Sequence, residues 1–176
     1  MAKPLNVDLG DWNQMVEIFH GESDRGAAIL AGSFAEHALG TFLTHKVEDK
    51  SVAEKLFGPV GPLSSFSQRI AAAYAFGLIS ASQYKEFEAV RQARNYFAHH
   101  PLDASFAAAE VQKYTSTLAI FSDPALAQHT DPATKHRIAY LLACGLLCGR
   151  LLDSIEKDLS GNDQRSLVKL PGAAGG

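Results

Sequence analysis

Arg91-Gln92-Ala93-Arg94-Asn95-Tyr96-Phe97-Ala98-His99-His100 reads as the end of a helix that Pro101 closes. Phe87, Val90 and Phe97 recur at helical spacing, and the position that completes their stripe is Arg94. A guanidinium on the core side is costly unless a carboxylate or an anionic ligand pairs with it. Asn95 and His99 fall one turn apart on the adjacent face, with Arg91 one turn earlier. Two readings follow. In the functional one, Arg94 and His99 bind a phosphate, Asn95 orients it, and His99 or His100 moves a proton. In the structural one, Arg94 makes an ion pair, while Asn95 and His99 satisfy carbonyls at the helix end.

Upstream, Ser80-Ala81-Ser82-Gln83 is a capping box that starts this helix, giving it about five turns. Gly77 stops the preceding helix, which Ser64 or Ser65 caps; Phe66, Ile70, Ala73 and Tyr74 are expected inward, with Gln68 and Arg69 at the edge. Gly58-Pro59-Val60-Gly61-Pro62 is a rigid corner after a short helix that Asp49 or Ser51 opens. Ser23 caps a long helix to about Lys46, with Asp24 in its first turn. Its expected stripe is Ala27, Leu30, Phe34, Ala38 and Phe42, and Gly26, Ser33 and Gly40 offer a close approach beside it. Glu36 lies between Ser33 and Gly40 and is the candidate partner of Arg94. An earlier amphipathic helix is expected from about Leu9 to Phe19, through Trp12 and Val16.

Downstream, Asp103 or Ser105 opens a helical stretch through Thr117, anchored by Phe106 and Val111. Asp123-Pro124 and Asp131-Pro132 are start signals. The last helix, to about Leu159, carries Ile138, Leu141, Gly145, Cys148, Leu152, Ile155 and Leu159 in heptad register, with Leu142, Leu146, Leu147 and Leu151 making its middle apolar nearly all round. Such a helix is central to a core or shared with a second subunit. No useful β alternation occurs. The expected fold is all-α: a single-domain bundle of six or seven helices over residues 1–160, with 161–176 as a flexible tail.

A charge of −3 over 176 residues, without blocks, argues against strong nonspecific DNA binding. A helix-turn-helix around Gly77 would offer Ser82, Lys85, Glu86 and Glu88 to DNA, a poor recognition surface, so no DNA-binding domain is evident. Cys144 and Cys148, four apart in an apolar run, suit buried reduced thiols rather than a metal site. No metal and no cofactor is expected. No signal peptide is read, the longest apolar run is too short to span a bilayer, and the cytoplasm is the expected compartment. Phosphate-binding Gly loops, Gly-x-Ser-x-Gly and His-Glu-x-x-His are all missing from the sequence.

Three segments together carry a resemblance. Ser23-Asp24-Arg25-Gly26-Ala27-Ala28-Ile29-Leu30, then Leu56-Phe57-Gly58 through Gly61-Pro62-Leu63-Ser64-Ser65-Phe66-Ser67-Gln68-Arg69-Ile70, then Ala75-Phe76-Gly77-Leu78-Ile79-Ser80 and Arg94-Asn95-Tyr96-Phe97-Ala98-His99, resemble in this order the MltR-like, or mannitol operon repressor, family over about residues 22 to 105. The resemblance implies an all-helical, noncatalytic transcriptional regulator without a DNA-binding domain of its own. Its repression would run through a protein partner, and a homodimer is compatible with it. The Arg-Asn-x-x-x-His ending also resembles HEPN domains. That second resemblance implies, as an alternative, a metal-independent endoribonuclease acting on RNA, with Arg94 and His99 in the catalytic positions and Asn95 as their polar neighbour. A third reading makes the chain a sensor of a small anion held by Arg94 and Arg69. Arg91, Asp24 and His100 complete the candidate cluster.

Overall fold

The Ser23 hydroxyl accepts the Gly26 N–H at 3.1 Å, and from this cap the first helix, α1, runs Asp24–His45. In the computed structural model, which describes Phe19 and residues 21–167, with side chains up to 160, α1 is the central strut. Its inner face is built largely from alanine: Ala27, Ala28, Ala31, Ala35 and Ala38 are buried, with Leu39, Phe42 and Leu43 toward its end. So small a face lets neighbouring helices come close. The remaining helices are α2 (Lys50–Phe57), α3 (Phe66–Ala75), α4 (Ala81–His99), α5 (Ala109–Thr115) and α6 (Pro132–Leu167), with 3₁₀ turns at Ala119–Ser122 and Pro124–Gln128. Six α-helices and no strand occur among the described residues. The fold is an all-α, single-domain bundle.

The caps are local and fall where the sequence puts them. Ser65 and Ser80 each form a full capping box with Gln68 and Gln83, Asp49 caps α2, and Asp131 accepts the Thr134 N–H. Gly77 turns the chain between α3 and α4 at φ +67°, the left-handed region open to glycine. Helix α6 runs parallel to α1: Arg137 meets Asp24 at one end and Lys46 meets Asp158 at the other. Helix α4 lies antiparallel on α1, with Arg25 reaching Phe97 and Glu36 reaching Arg94. Phe97, Phe106 and Tyr140 are fully buried and pack along the join as tilted rings, centroids 4.9 and 5.7 Å apart. The Tyr140 hydroxyl donates to the Ala28 carbonyl at 2.9 Å, satisfying a polar tip deep in the core.

Several expectations shift. Leu30 is 44% exposed and Tyr74 46%, so neither belongs to the core stripe. Ala31 and Ala35 instead face the core, beside Gly32, where Arg94 and Tyr140 approach α1 closely. The α5 helix begins at Ala109, later than Asp103 or Ser105. Phe106 plunges into the core and gives its N–H to Asp24 Oδ2 at 3.1 Å, which fixes the preceding backbone outside a helix. On α6 the buried face is Tyr140, Cys144, Leu147 and Leu151, flanked by Leu141 and Cys148. This register is displaced from the expected heptad, and Leu159 is exposed. A helix apolar nearly all round leaves its inner face undetermined by periodicity; here Ala139, Ala143 and the satisfied His136 and Tyr140 select it.

Helix α6 continues to Leu167, past the expected end at Leu159 and through the start of the expected tail. The rest of that tail, residues 168–176, and the Leu9, Trp12 and Val16 positions of the expected first helix lie outside the described residues. Phe19 itself is buried, and its carbonyl accepts from Arg137 at 2.9 Å. By length and composition the Pro132–Ser160 segment could cross a membrane, contrary to the expectation that no apolar run is long enough. It packs instead against α1, α4, α5 and both 3₁₀ turns as the core helix of the bundle.

Candidate functional site

The α4 end is held by contacts from three directions. Arg94 completes the Phe87, Val90, Phe97 stripe, so its stem faces α1, where Gly32 leaves room for it. A Cβ at position 32 would stand 2.8 Å from Arg94 Cβ and 2.6 Å from the Tyr140 hydroxyl, so both helices need glycine there. Beyond the stem, the Arg94 guanidinium donates to Glu36 Oε2 at 2.9 Å and to Asn95 Oδ1 at 3.5 Å. The two charged side chains are 27% and 19% exposed, a half-sheltered pair at the rim of the core. The guanidinium that the sequence places on the core side is thus engaged by a carboxylate.

The other candidate residues divide among separate tasks. Asp24 accepts from Arg137 at 2.5 Å and from the Phe106 N–H, joining α6, α1 and the loop after α4. Arg69 donates to the Leu63 and Phe57 carbonyls at 2.9 and 3.3 Å, clamping the Gly/Pro corner, and lies over Gly40. Arg69 and Arg94 thus have different partners within the protein, the Leu63 and Phe57 carbonyls for one and Glu36 for the other. Arg91 grips Glu88 with both arms, at 3.1 and 2.8 Å, and this hydrogen-bonded carboxylate raises the Arg91 pKa.

His99 and His100 are exposed at the helix end. The His100 ring stacks on Tyr96 at 4.1 Å, and its Nδ1 is 2.9 Å from the Tyr96 carbonyl. Both histidines line a depression of about 210 Å³ with Gln92, Asn95, Tyr96 and Tyr114. Arg94 is not part of that lining. His99 lies five steps along the helix from Arg94, about 140° around its axis at 3.6 residues per turn. The structure brings together Arg94, Asn95 and Glu36 on one side, and Asn95, His99 and His100 on the other.

Sequence reading missed three participants. Arg25 donates to the Phe97 carbonyl at 3.1 Å and closes the end of α4; its position in the first turn of α1 carries no local signal for this. Arg137 is legible only as a surface cation, yet it binds Asp24 and the carbonyls of Phe19 and Glu22. Glu86, 6% exposed, receives the Ala119 N–H and the Arg150 guanidinium, both at 3.3 Å, fastening a 3₁₀ turn to α4. No cluster of three or more His, Cys, Asp or Glu able to hold a metal occurs among the described residues. Cys144 and Cys148 are buried free thiols; burial pushes Cys144 well up and Cys148 to about 12, so neither is a ready thiolate. A larger open groove, about 710 Å³, lies at the opposite end of α1 against α2, floored by Val47, Ala53 and Phe57.

Residues 34–156 match the family described as Mannitol repressor (MtlR). The chain belongs to the mannitol repressor family. The matched region includes Glu36, Arg69, Arg91, Arg94, Asn95, His99 and His100, and leaves out Asp24. The fold of this family member is similar to a chain of the X-ray structure of the MtlR-HPr complex from Escherichia coli, with a TM-score of 0.63 and 20% identity over 80% of this chain and 97% of that one. At that identity the likeness establishes the all-helical fold. No curated protein sequence matches the chain.

Proposed function

We propose that this chain is a noncatalytic regulator of the mannitol-repressor type that works in the cytoplasm by protein contact, with HPr as its partner and mannitol genes as its target. The observation that carries the reading is the family match over residues 34–156, joined to a fold shared with a protein solved in complex with HPr. The geometry supports the protein-contact half. Helix α4, which follows the Gly77 turn and would be the recognition helix of a helix-turn-helix, packs against α1, α3, α5 and α6. Only a narrow strip of it faces outward, too little to enter a major groove about 12 Å wide and read base edges.

The endoribonuclease alternative needs Arg94 and His99 to face one phosphate. Arg94 is engaged by Glu36 and His99 opens onto a different side, so the arrangement within one chain favours the regulator. The test is calorimetric titration of the purified chain with HPr, alongside a gel shift with a fragment carrying a mannitol promoter. Saturable HPr binding with weak, salt-sensitive DNA binding is expected. Tight, sequence-selective DNA binding without HPr affinity would overturn the reading.

A further inference from the structure

The depression that holds His99 and His100 is one end of a longer groove. A second hollow of about 460 Å³ runs between α4 and α5 and shares Gln92 and Tyr114 with the first. Its walls include Tyr84, Lys85, Glu88 and Lys113. Along α4 the combined groove extends from Tyr84 to His99, about 22 Å at about 1.5 Å per residue. An extended peptide rising about 3.4 Å per residue would lay roughly six residues in it.

The charge of this groove is one-sided. Its carboxylate, Glu88, is neutralised by the two-armed grip of Arg91. Glu110, the acidic residue on α5, is not part of the lining. Lys85 and Lys113 remain, and neither makes an ion pair among the described residues. They stand on facing walls. Between and beyond them the lining is mixed: Ala89 and the tyrosine rings make most of it apolar, while the amides of Gln92 and Asn95 and the hydroxyl of Tyr114 supply hydrogen-bonding groups. Such groups pair with the N–H and C=O of an extended backbone.

We infer that the α4–α5 groove docks an acidic, extended segment of a protein partner, its carboxylates on Lys85 and Lys113 and its backbone on the Gln92 and Asn95 amides. The protein nature of the occupant rests on the regulator reading above. Two observations set it above a nucleic-acid strand. Two lysines neutralise too few phosphates for strong binding at ordinary salt. The groove's aromatic rings are also partly used within the protein, Tyr84 against Tyr74 at 4.8 Å and Tyr96 against His100 at 4.1 Å, rather than left as open platforms for bases.

The experiment is fluorescence anisotropy with a fluorescein-labelled eight-residue peptide alternating Glu and Gly, and with a labelled eight-nucleotide oligouridylate, at 50 and 300 mM salt. Wild type is expected to bind the peptide in preference to the oligonucleotide. The Lys85→Glu/Lys113→Glu variant is expected to weaken peptide binding at least tenfold with an unchanged circular dichroism spectrum, while Lys55→Glu on exposed α2 leaves it unchanged. Peptide binding that survives the double reversal, or wild type that takes the oligonucleotide and not the peptide, overturns the inference. The HPr titration is read separately on wild type. Failure of HPr with the peptide bound sinks the HPr reading and leaves the groove; failure of the peptide with HPr bound does the reverse.

Discussion

Replacing Arg94 probes whether the α4 end is held as architecture. A fully buried pair broken by removing one partner loses about 3–5 kcal/mol, whereas an exposed pair is worth about 0–1 kcal/mol. The Arg94 and Glu36 side chains keep 27% and 19% of their exposure, so the stranded Glu36 recovers some hydration and the expected loss for Arg94→Met falls between, at about 2 kcal/mol. Methionine preserves the stem that passes Gly32, which isolates the charge; Arg94→Ala also forfeits that packing and should lose more. Urea unfolding followed by circular dichroism reads the difference. With a slope of about 2 kcal/mol per molar, the Arg94→Met midpoint should drop by about 1 M. The cycle with Glu36→Gln should return a coupling of about 1–2 kcal/mol, and His99→Ala, on the exposed side, should stay within about 0.5 kcal/mol of wild type. An Arg94→Met midpoint equal to that of wild type, or a loss at His99 as large as at Arg94, would refute the assignment of Arg94 to the fold and His99 to the surface.

Two further outcomes follow from the core. Gly32→Ala, whose Cβ would fall 2.6 Å from the Tyr140 hydroxyl, should cost about 1–3 kcal/mol, while Gly149→Ala, with nothing within 4 Å, should be neutral or stabilise α6 by up to about 1 kcal/mol; thermal melts of the two variants check the contrast. His136 has its pKa lowered, first by burial and then by Lys135, so the folded state prefers its neutral form. Its contribution is complete above the unfolded value of 6.5 and is lost as pH falls from there through the lower folded value. Urea midpoints between pH 8 and 5 should therefore fall more steeply for wild type than for His136→Asn, and parallel curves would sink the assignment.

How far the sequence reaches depends on the range of the interaction concerned. Helix starts at Ser23, Ser65, Ser80 and Asp131 are legible because a cap is settled within four residues. The Arg94–Glu36 contact is legible because a cation on an apolar stripe must be answered, and Glu36 borders the small-residue face of α1. The inner face of α6 is not legible: with leucine or cysteine at almost every angle, hydrophobicity gives no preference, and the choice rests on Tyr140 reaching Ala28 and His136 reaching Thr115. Nor is the role of Asp24, whose first-turn position suggests only a favourable helix charge. Its partners Phe106 and Arg137 lie 82 and 113 residues away.

The buried polar contacts also determine what remains for the surface. Thr115 Oγ1 lies 2.7 Å from His136 Nδ1 and 2.9 Å from the Val111 carbonyl, so the hydroxyl ties α5 to α6 within the core. Arg69, Arg91, Arg94, Arg137 and Arg150 are each bound to a carboxylate or carbonyl of the protein itself. Arg94, Arg137 and Arg150 join helices, Arg69 holds the Gly/Pro corner, and Arg91 is paired within α4. The groups that line the α4–α5 groove are instead lysines, tyrosines, amides and histidines, the set on which the proposed docking of an acidic segment relies.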